Sequence, residues 1–269
     1  MRAPFATSMN AASEPNRSDD WNSHWERFGR SATENPAQRY RHHLLLSLLQ
    51  RRGRANGLKL LDLGSGQGDF LASAAEAWPQ AELVGIELSE VGVLMTRHKV
   101  PQARVFTVNL FAPPAELAPL VGWANVSICS EVLEHVDDPV AFLQASRPYL
   151  ANGATLMVTV PGGPLSAFDR HIGHRQHFTR ESIARILEAA GFEVEQVTLA
   201  GFPFFNLYRA LIIARGDHLV RDATTGPGPA SFFFARSMMA LFRFLFRANR
   251  PDSRFGWQIV AVARKSSDS

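Results

Sequence analysis

Hydrophobic and polar positions alternate regularly along the chain from residue 58 onward. Short apolar segments have the composition of buried strands, and the segments between them carry the longer repeat of helices. The predicted strands are 58–64, 81–88, 103–111, 125–131 and 154–163, and the predicted helices between the first three are 69–78 and 90–99. Strands that alternate with helices in this way indicate a doubly wound, largely parallel α/β sheet.

Two helices in the second half of the chain carry recognisable end signals. Asp138 is a good N-cap, and Pro139 a good first residue, for a helix that runs to Leu150. Thr179 is likewise placed as an N-cap, and Gly191 stands just past the predicted end of that helix. Apolar residues recur on one face of this second helix, so it should pack against the sheet.

The last two strands complete the predicted sheet. Segment 192–200 alternates between apolar and polar residues with the period of a strand, and segment 257–265 is predicted as the seventh strand. No internal repeat is visible, which favours a single domain over 21–269. Residues 1–20 are polar and lack the continuous apolar core of a signal peptide, so we expect a disordered leader there.

A long helical insertion, 201–256, separates the sixth and seventh strands, where a minimal fold needs only a short hairpin. On a projection at ~100° per residue, four arginines fall within an arc of ~80° and apolar residues lie opposite. The arginines are Arg236, Arg243, Arg247 and Arg250, and the apolar residues are Phe234, Met238, Leu241, Phe242 and Leu245. Such a helix either meets a membrane interface through 231–250 or packs on the domain as a lid.

Composition narrows the functional classes. At 269 residues, of which 46% are hydrophobic, the chain is long enough to bury a full core. The net charge is only +3, and no polybasic tract has interleaved aromatic residues, so nucleic-acid binding is not expected. The single cysteine, Cys129, excludes an internal disulfide and suits a reducing compartment. No segment has the ~18 apolar residues of a spanning helix, so we expect a cytoplasmic protein that can reach the inner face of the membrane.

The most informative stretch is LLDLGSGQGDF, residues 60–70. After a buried strand the backbone passes through Gly64, Gly66 and Gly68, whose missing side chains permit tight turns and close approach of a ligand. The helix that follows presents its N-terminus to an anionic group. Glu87 ends the second strand, where a carboxylate can accept hydrogen bonds from both hydroxyls of a ribose. The stretch therefore predicts a nucleotide-type site.

Two classes of enzyme use such a loop. A dinucleotide oxidoreductase expects G-x-G-x-x-G, whereas here Asp62 precedes G-x-G-x-G. That arrangement resembles the first motif of class I S-adenosylmethionine-dependent methyltransferases. GIELSE (85–90) and SEVLEHVDDP (130–139) resemble this family's motifs at the ribose and beside the methionine moiety. The resemblance covers about 21–264 and implies a Rossmann-like, seven-stranded sheet whose last strand is antiparallel.

The resemblance also implies S-adenosyl-L-methionine as the cofactor and S-adenosyl-L-homocysteine as the product. Asn109 and Leu110 stand where many members carry an acidic residue beside adenine. An asparagine can accept from the adenine amine, and the alternative is a turn residue at the strand end. The implied cofactor-binding residues are Asp62, Gly64, Ser65, Gly66, Glu87, Leu88, Asn109, Leu110, Ser130 and Glu131.

Segments 35–49 and 168–197 resemble a bacterial branch of the family whose members act on small-molecule, lipid or glycan acceptors. The oligomeric state stays open. We therefore expect a methyltransferase acting on a small acceptor that is lipophilic or linked to a lipid or glycan. The alternatives are N- or C-methylation, and a catalytically silent binding subunit with the same fold.

A helix predicted at the start of the domain has Trp21, Trp25 and Phe28 on one face. In similar methyltransferases such a segment closes over the cofactor, and Tyr40 can belong to the same lid. The alternative is simple packing on the sheet.

The loop after the fifth strand contains HIGHRQHF, residues 171–178. Ligands of open α/β sheets lie at the carboxyl ends of the strands, so this loop should border the acceptor pocket. A neutral histidine can remove a hydroxyl proton, so His174, His171 and, third, His135 are candidate bases and O-methylation is favoured. The alternative for each is loop or cap hydrogen bonding. A metal site is the weaker interpretation and we predict none, because Arg175 between the ligands would oppose a cation.

Overall fold

A computed structural model describes residues 20–53, 57–216 and 229–266 of the chain. The strands are β1 (Lys59–Leu63), β2 (Glu82–Glu87), β3 (Arg104–Thr107), β4 (Ala124–Ser130), β5 (Leu150–Pro161), β6 (Phe192–Ala200) and β7 (Gln258–Lys265). They form one seven-stranded sheet in the order β3-β2-β1-β4-β5-β7-β6. β7 runs antiparallel to β5 and β6, and the other neighbouring strands are parallel. The predicted Rossmann-like class and the antiparallel last strand are confirmed.

Helices cover both faces of this sheet. They are α1 (Trp21–Glu34), α2 (Pro36–Arg51), α3 (Asp69–Ala77), α4 (Glu90–Lys99), α5 (Pro139–Ser146), α6 (Ala167–His171), α7 (Arg180–Ala189), α8 (Phe204–Ala214) and α9 (Pro229–Leu245). The apolar residues of the sheet divide into a cluster on each face, one with α5 and α7 and one with α2, α3 and α4. This two-sided burial explains why the central strands are buried at nearly every position.

Most predicted element ends agree with the structure. Asp138 caps α5 by accepting from the Ala141 amide at 2.9 Å, and Thr179 caps α7 by accepting from the Ser182 amide at 3.1 Å. The first of these helices ends earlier than predicted, at Ser146, and continues as a short 3₁₀ turn. Pro148 explains the change, because it has no amide hydrogen with which to continue α-helical bonding.

The insertion between β6 and β7 forms α8 and α9, which pack on α2. Phe242 and Phe246 are buried against Tyr40 and Phe205. Tyr40 therefore belongs to this aromatic cluster and not to a lid over the glycine loop. Leu241, expected on the apolar face, is instead half exposed, because the packed face of the helix centres on Phe242.

Several expectations fall on parts of the chain that the structure does not describe. The leader lies there except for Asp20, whose side chain accepts from the Ser23 amide and caps α1. The side chains of Phe28, Phe234 and Arg236 also lie outside the described residues. Among the helices that are described, none has both the length and the apolar character needed to cross a membrane.

Candidate active site

Backbone hydrogen bonds to β2 hold the loop after β1 in place. The amides of Gly64 and Ser65 donate to the carbonyl oxygen of Ile86 at 2.8 and 3.1 Å. Gly66 has a φ of +55°, and a Cβ atom there would lie 2.5 Å from Cζ2 of Trp25. Any side chain at this position would meet both backbone strain and a clash, so the turn requires glycine.

Glu87 supports this loop from the end of β2. Its Oε2 accepts from the Gly66 amide at 2.7 Å, and its Oε1 accepts from the Ser89 amide at 2.9 Å. Burial raises the pKa of the Glu87 carboxyl, and the hydrogen bonds from Ser89 and Gly66 partly oppose that shift. The carboxylate therefore shapes the glycine loop and still has lone pairs with which to bind a ligand.

A cavity of about 480 Å³, here called the β2–β3 cavity, opens beside Glu87. Its wall includes Leu88, Asn109, Leu110 and Phe111, which follow β2 and β3. The Oδ1 of Asn109 accepts from the Phe111 amide at 3.0 Å. Asn109 thus closes the turn after β3 while it also lines the cavity, and its Nδ2 can still donate to a ligand.

A second cavity, of about 280 Å³ and here called the β4–β5 cavity, lies at the ends of β1, β4 and β5. Its polar wall contains Asp62, Ser65, Gly66, Ser130, Glu131, Glu134, His135 and His174. Its apolar wall contains Phe168, Ile172, Phe205, Ile212 and Trp257. Gly64, Glu131 and His135 line both cavities, so the two spaces meet at the glycine loop.

α1 covers the point where the cavities meet. Trp21 and Trp25 line both of them. The helix is attached to the glycine loop by Gln67, whose Nε2 donates to the Gly29 carbonyl oxygen at 2.7 Å. Trp21 and Trp25, two of the three residues of the predicted aromatic face, are therefore directed at the site.

Asp62 is a buried carboxyl at the end of β1. Burial raises its pKa to about 8, and the nearby charge of Glu87 adds to the shift. The group is therefore largely protonated below pH 8, and it ionises when a cationic ligand group binds beside it.

Glu131 holds an unusual backbone conformation at the end of β4, with a φ of +56°. Its amide donates to the Thr159 carbonyl oxygen at 2.9 Å, and its Oε1 accepts from Nε2 of Gln258 at 3.0 Å. Its Oε2 lies 3.5 Å from Nη1 of Arg41. The hydroxyl of Ser130 is hydrogen-bonded to that of Thr159 at 2.8 Å. Backbone strain that is held in this way beside a cavity is typical of a functional position.

The loop after β5 folds back onto the loop after β4. The Arg175 amide donates to the Glu134 carbonyl oxygen at 2.8 Å. His174 consequently lies beside His135, with ring centroids 4.7 Å apart. His171 ends α6, is exposed and lines neither of these two cavities. The structure thus brings two of the three candidate bases together and leaves the third outside.

A chain of hydrogen bonds orients His174. Nδ1 of His177 lies 3.1 Å from the Gly163 carbonyl oxygen, which can only accept, so this nitrogen carries the hydrogen. Nε2 of His177 therefore accepts from Nδ1 of His174 at 3.2 Å, and His174 keeps a lone pair on Nε2. Burial lowers the pKa of His174 to about 2 and that of His135 to about 4, so both rings are neutral.

The insertion reaches the site through Arg209 of α8. Its guanidinium donates to both oxygens of the buried Asp169, at 3.0 and 2.8 Å. The amide and hydroxyl of Ser166 also donate to this carboxylate. Burial alone would raise the pKa of Asp169, but Arg209 and Ser166 lower it to about 2. This ion pair links Asp169, in the segment after β5, to α8 of the insertion.

Substitution of Arg209 by Met should lower the free energy of unfolding by about 3–5 kcal/mol, because it leaves Asp169 buried without its cation. Arg264→Met is the matched control. Its ion pair with Glu193 is exposed, so we expect a loss of about 1 kcal/mol or less. Urea unfolding of the three proteins measures both values, and equal losses would contradict a structural role for the Arg209–Asp169 pair.

Five charged residues of the β4–β5 cavity are not singled out by the sequence analysis: Arg41, Asp69, Glu134, Asp169 and Arg209. A signal for Glu134 does exist, since it is the second carboxylate of SEVLEH and directly precedes His135. Arg41 and Arg209 carry no comparable signal, because they reach the site from α2 and α8 through tertiary packing.

A protein-family model described as a methyltransferase domain matches residues 37–197. A trans-aconitate 2-methyltransferase of Afipia carboxidovorans is 25% identical over 147 residues, which cover 53% of this chain and 54% of the relative. A ubiquinone biosynthesis O-methyltransferase of Acinetobacter baumannii is 29% identical over 106 residues, which cover 39% of this chain and 44% of the relative. The chain thus matches about half, or less, of the length of these curated relatives.

Two solved structures extend the likeness over most of the chain. A magnesium protoporphyrin IX methyltransferase from Synechocystis, crystallised with S-adenosylhomocysteine, has a TM-score of 0.57 and 17% identity, covering 93% of this chain and 97% of that one. A plantazolicin methyltransferase in complex with a triazolic desmethylPZN analog and S-adenosylhomocysteine has a TM-score of 0.58 and 15% identity, covering 93% of this chain and 94% of that one. At these identities the likeness concerns the fold.

Proposed function

The chain belongs to the methyltransferase-domain family, and we propose that it transfers a methyl group from S-adenosylmethionine to a hydroxyl of a small acceptor. One observation carries the proposal. The β2–β3 cavity and the β4–β5 cavity meet at the glycine loop, so a donor in the first can face an acceptor in the second. We propose that 21–269 acts as one domain, in which the insertion 201–256 forms part of the acceptor wall.

The residues present fit the proposed cofactor. Three glycines of the loop have positive φ, which leaves space for a ligand against the backbone. The lone pairs of Glu87 suit ribose hydroxyls, Leu88 and Leu110 suit the faces of adenine, and the carboxyl of Asp62 suits an amino group. Ser65, Ser130 and Glu131 complete the polar wall at the methionine end. When bound, S-adenosylmethionine supplies a methyl group on a sulfonium, which keeps the carbon–sulfur bonding pair and becomes the neutral thioether S-adenosylhomocysteine.

Affinity for S-adenosylhomocysteine should rise about tenfold between pH 6.5 and pH 8. The pKa of Asp62 is about 8 in the ligand-free protein, so at lower pH the carboxyl must release a proton before it can pair with the ligand's ammonium group. The Asp62→Asn variant should bind more weakly and lose this pH dependence. Calorimetric titration of both proteins across this range is the measurement, and an equal slope in the variant would assign the effect to another group.

The acceptor end of the site favours O-methylation. His135 and His174 are neutral and lie in the wall of the β4–β5 cavity. In the absence of a bound cation, the Nε2 lone pair of His174 accepts the hydroxyl proton as the acceptor oxygen takes the methyl group. A base with so low a pKa acts best on an acidic hydroxyl, such as that of a phenol. His135 stands beside it as the second candidate, and the exposed His171 is no longer one.

The acceptor also has an apolar part in this account. α8 and the loop after β5 contribute Phe168, Ile172, Phe205 and Ile212 to the cavity wall. These side chains exclude water from one side of the acceptor and favour a lipophilic or lipid-linked molecule.

Methyl transfer from radiolabelled S-adenosylmethionine tests the proposal. The acceptor panel pairs phenols and aliphatic alcohols, some with an alkyl tail, with the corresponding amines. We expect label on the hydroxyl compounds, and more on those with the tail. Label on the amines or on carbon would replace O-methylation by the N- or C-methylation alternatives. If S-adenosylhomocysteine binds and no acceptor in the panel is labelled, the silent binding subunit becomes the better account.

We further propose that the insertion contacts an anionic membrane surface. Leu241 and Phe244 of α9 are 52% and 66% exposed. Arg243 and Arg247 accompany them and line a groove with Arg39, His43 and Arg51 of α2, in which the described lining contains no carboxylate. Exposed apolar side chains beside arginines suit the boundary between acyl chains and phosphate groups.

The double variant Leu241→Ser/Phe244→Ser should bind vesicles about tenfold more weakly than the wild type, because it removes two apolar groups from the contact. Leu94→Ser is the control, since Leu94 is equally exposed but lies on α4. Co-sedimentation with phosphatidylglycerol-containing vesicles at low salt measures binding. No binding of the wild type, or equal binding of all three proteins, would contradict the membrane contact.

A further inference from the structure

One carboxylate and two imidazoles meet in the wall of the β4–β5 cavity. The ligand atoms of Glu134, His135 and His174 all lie within 4.8 Å of one another. Two features of the fold bring them together. Glu134 and His135 are neighbours in the loop after β4, and the Arg175 amide fastens His174 to that loop through the Glu134 carbonyl oxygen.

Glu134 is the least satisfied member of this cluster. Its side chain is fully buried, and within the described part of the chain neither Oε1 nor Oε2 has a hydrogen-bond partner on another residue. A buried carboxyl with both oxygens unpartnered is costly, and the large majority of buried polar atoms in proteins do have partners. Its position on the cavity wall indicates that a ligand supplies the missing partner.

Both imidazoles present a lone pair as well. One ring nitrogen of His135 is hydrogen-bonded to the backbone carbonyl oxygen of Gly173. The other, the buried Nδ1, has no partner among the described residues. Because a carbonyl oxygen can only accept, the hydrogen of the neutral ring is on Nε2 and the lone pair is on Nδ1. His174 keeps its lone pair on Nε2 through the chain of bonds to His177 and Gly163. A backbone carbonyl that orients the opposite ring nitrogen is typical of metal-binding histidines.

The nearby arginines are all ion-paired, which weakens the opposition to a cation that the sequence suggested. Arg175 is ion-paired outside the cluster, since its Nη1 lies 2.5 Å from Oδ1 of Asp137. Arg209 is paired with Asp169, and Arg41 with Glu131. The charges of all three are therefore compensated by carboxylates that are not in the cluster.

A neighbouring group of Asp169, His174 and His177 is the weaker candidate, although its atoms are also close together. Both oxygens of Asp169 already accept from Arg209, and one also accepts from Ser166. His177 uses both ring nitrogens in the chain of bonds that orients His174. This group has few lone pairs left for a cation and instead supports the first one.

We propose that Glu134, His135 and His174 bind one divalent transition-metal cation. Two imidazoles and one carboxylate favour Zn²⁺ or Co²⁺ over Mg²⁺, which prefers oxygen ligands. Ligand atoms around one such cation lie ~3–3.5 Å apart, given bonds of about 2.0–2.2 Å, so the side chains need to move by only about 1 Å from the observed arrangement. All three residues line the β4–β5 cavity, so a further ligand of the cation would come from that space.

The catalytic consequence rests on the proposed function, whereas the binding of the cation does not. A cation lowers the pKa of a bound hydroxyl, which then loses its proton to water and attacks the methyl group as an oxygen anion. A nitrogen bound to a metal cannot accept a proton. In the metal-loaded protein His174 is therefore a ligand, and the cation replaces it as the group that activates the hydroxyl.

Titration with the metal alone tests the proposal. Wild type, Glu134→Gln, His174→Ala and the control His98→Ala, which removes an exposed histidine of α4, are stripped with EDTA and dialysed. Each is then titrated with Co²⁺ and Zn²⁺, with binding followed by calorimetry and the visible spectrum of Co²⁺. We expect one cation per wild-type and His98→Ala chain, with at least tenfold weaker binding in the other two variants. Circular dichroism checks that each variant is folded. If His174→Ala does not fold, the test depends on Glu134→Gln, which keeps the side-chain volume.

Equal affinity of the wild type and Glu134→Gln would overturn the proposal, as would the absence of any stoichiometric binding. S-adenosylhomocysteine is titrated separately into the metal-free wild type. If it binds while the cations do not, the proposed function stands and the metal site falls. If the cations bind at the cluster while S-adenosylhomocysteine does not, the metal site stands and the proposed function falls.

Discussion

Glu87→Ala should weaken the binding of S-adenosylhomocysteine about 100-fold, because two hydrogen bonds between a carboxylate and the ribose hydroxyls are lost. The substitution also removes the acceptors of the Gly66 and Ser89 amides, so the glycine loop loses its support. Calorimetric titration of the purified variant measures the effect. Its overall fold should persist, since the substitution removes a carboxylate whose burial is itself unfavourable.

The control for this prediction is Glu82→Ala. Glu82 begins the same strand, but its side chain is exposed and faces Lys59 at 3.8 Å. We expect unchanged affinity in this variant. A Glu87→Ala protein that is folded and binds S-adenosylhomocysteine as tightly as the wild type would contradict the assignment of Glu87 to the ribose.

In the metal-free protein, His174→Ala should lower kcat for methyl transfer to a hydroxyl acceptor by about 100- to 10,000-fold, the usual range for loss of a positioned acid–base group. Affinity for S-adenosylhomocysteine should stay within about threefold of the wild type, because His174 lies on the acceptor side of the glycine loop. The remaining rate of the variant should increase as the pH approaches the pKa of the acceptor hydroxyl. An acceptor that has already lost its proton to solvent reacts as an alkoxide or phenolate and does not need the His174 base. The acceptor for the assay is the best one from the labelled panel.

The variant His171→Ala tests a point on which the structure and the sequence give different predictions. The two histidines are three residues apart and have equal standing in the sequence, but His171 is exposed and outside the cavity. We expect wild-type turnover from His171→Ala. Equal loss of turnover in both variants would mean that the loop adopts another arrangement when substrate is bound.

Much of the fold could be predicted from the sequence because the signals are local. Apolar strand segments and helix caps such as Asp138 and Thr179 act over a few residues, and the structure confirms them. The glycine loop is equally local, since positive φ at Gly66 and the contact with Trp25 both exclude a side chain. These features depend on chain stereochemistry more than on distant partners.

The acceptor side could not be derived in the same way. Whether His174 or His171 faces the cavity depends on tertiary contacts such as the bond from the Arg175 amide to the Glu134 carbonyl oxygen, which joins segments about forty residues apart. The sequence alone predicts that the charge of Arg175 opposes a cation. In the structure this charge is paired with Asp137, a partner that the sequence does not reveal. Arg209 enters from the insertion, and its ion pair with Asp169 has no sequence signature.

Calorimetric titration of the wild-type protein with S-adenosylhomocysteine, run beside a nicotinamide dinucleotide, tests the central claim most directly. The account predicts binding of one S-adenosylhomocysteine per chain with a Kd on the order of micromolar, and no binding of the dinucleotide. Failure of S-adenosylhomocysteine to bind at millimolar concentration, or tighter binding of the dinucleotide, would contradict it.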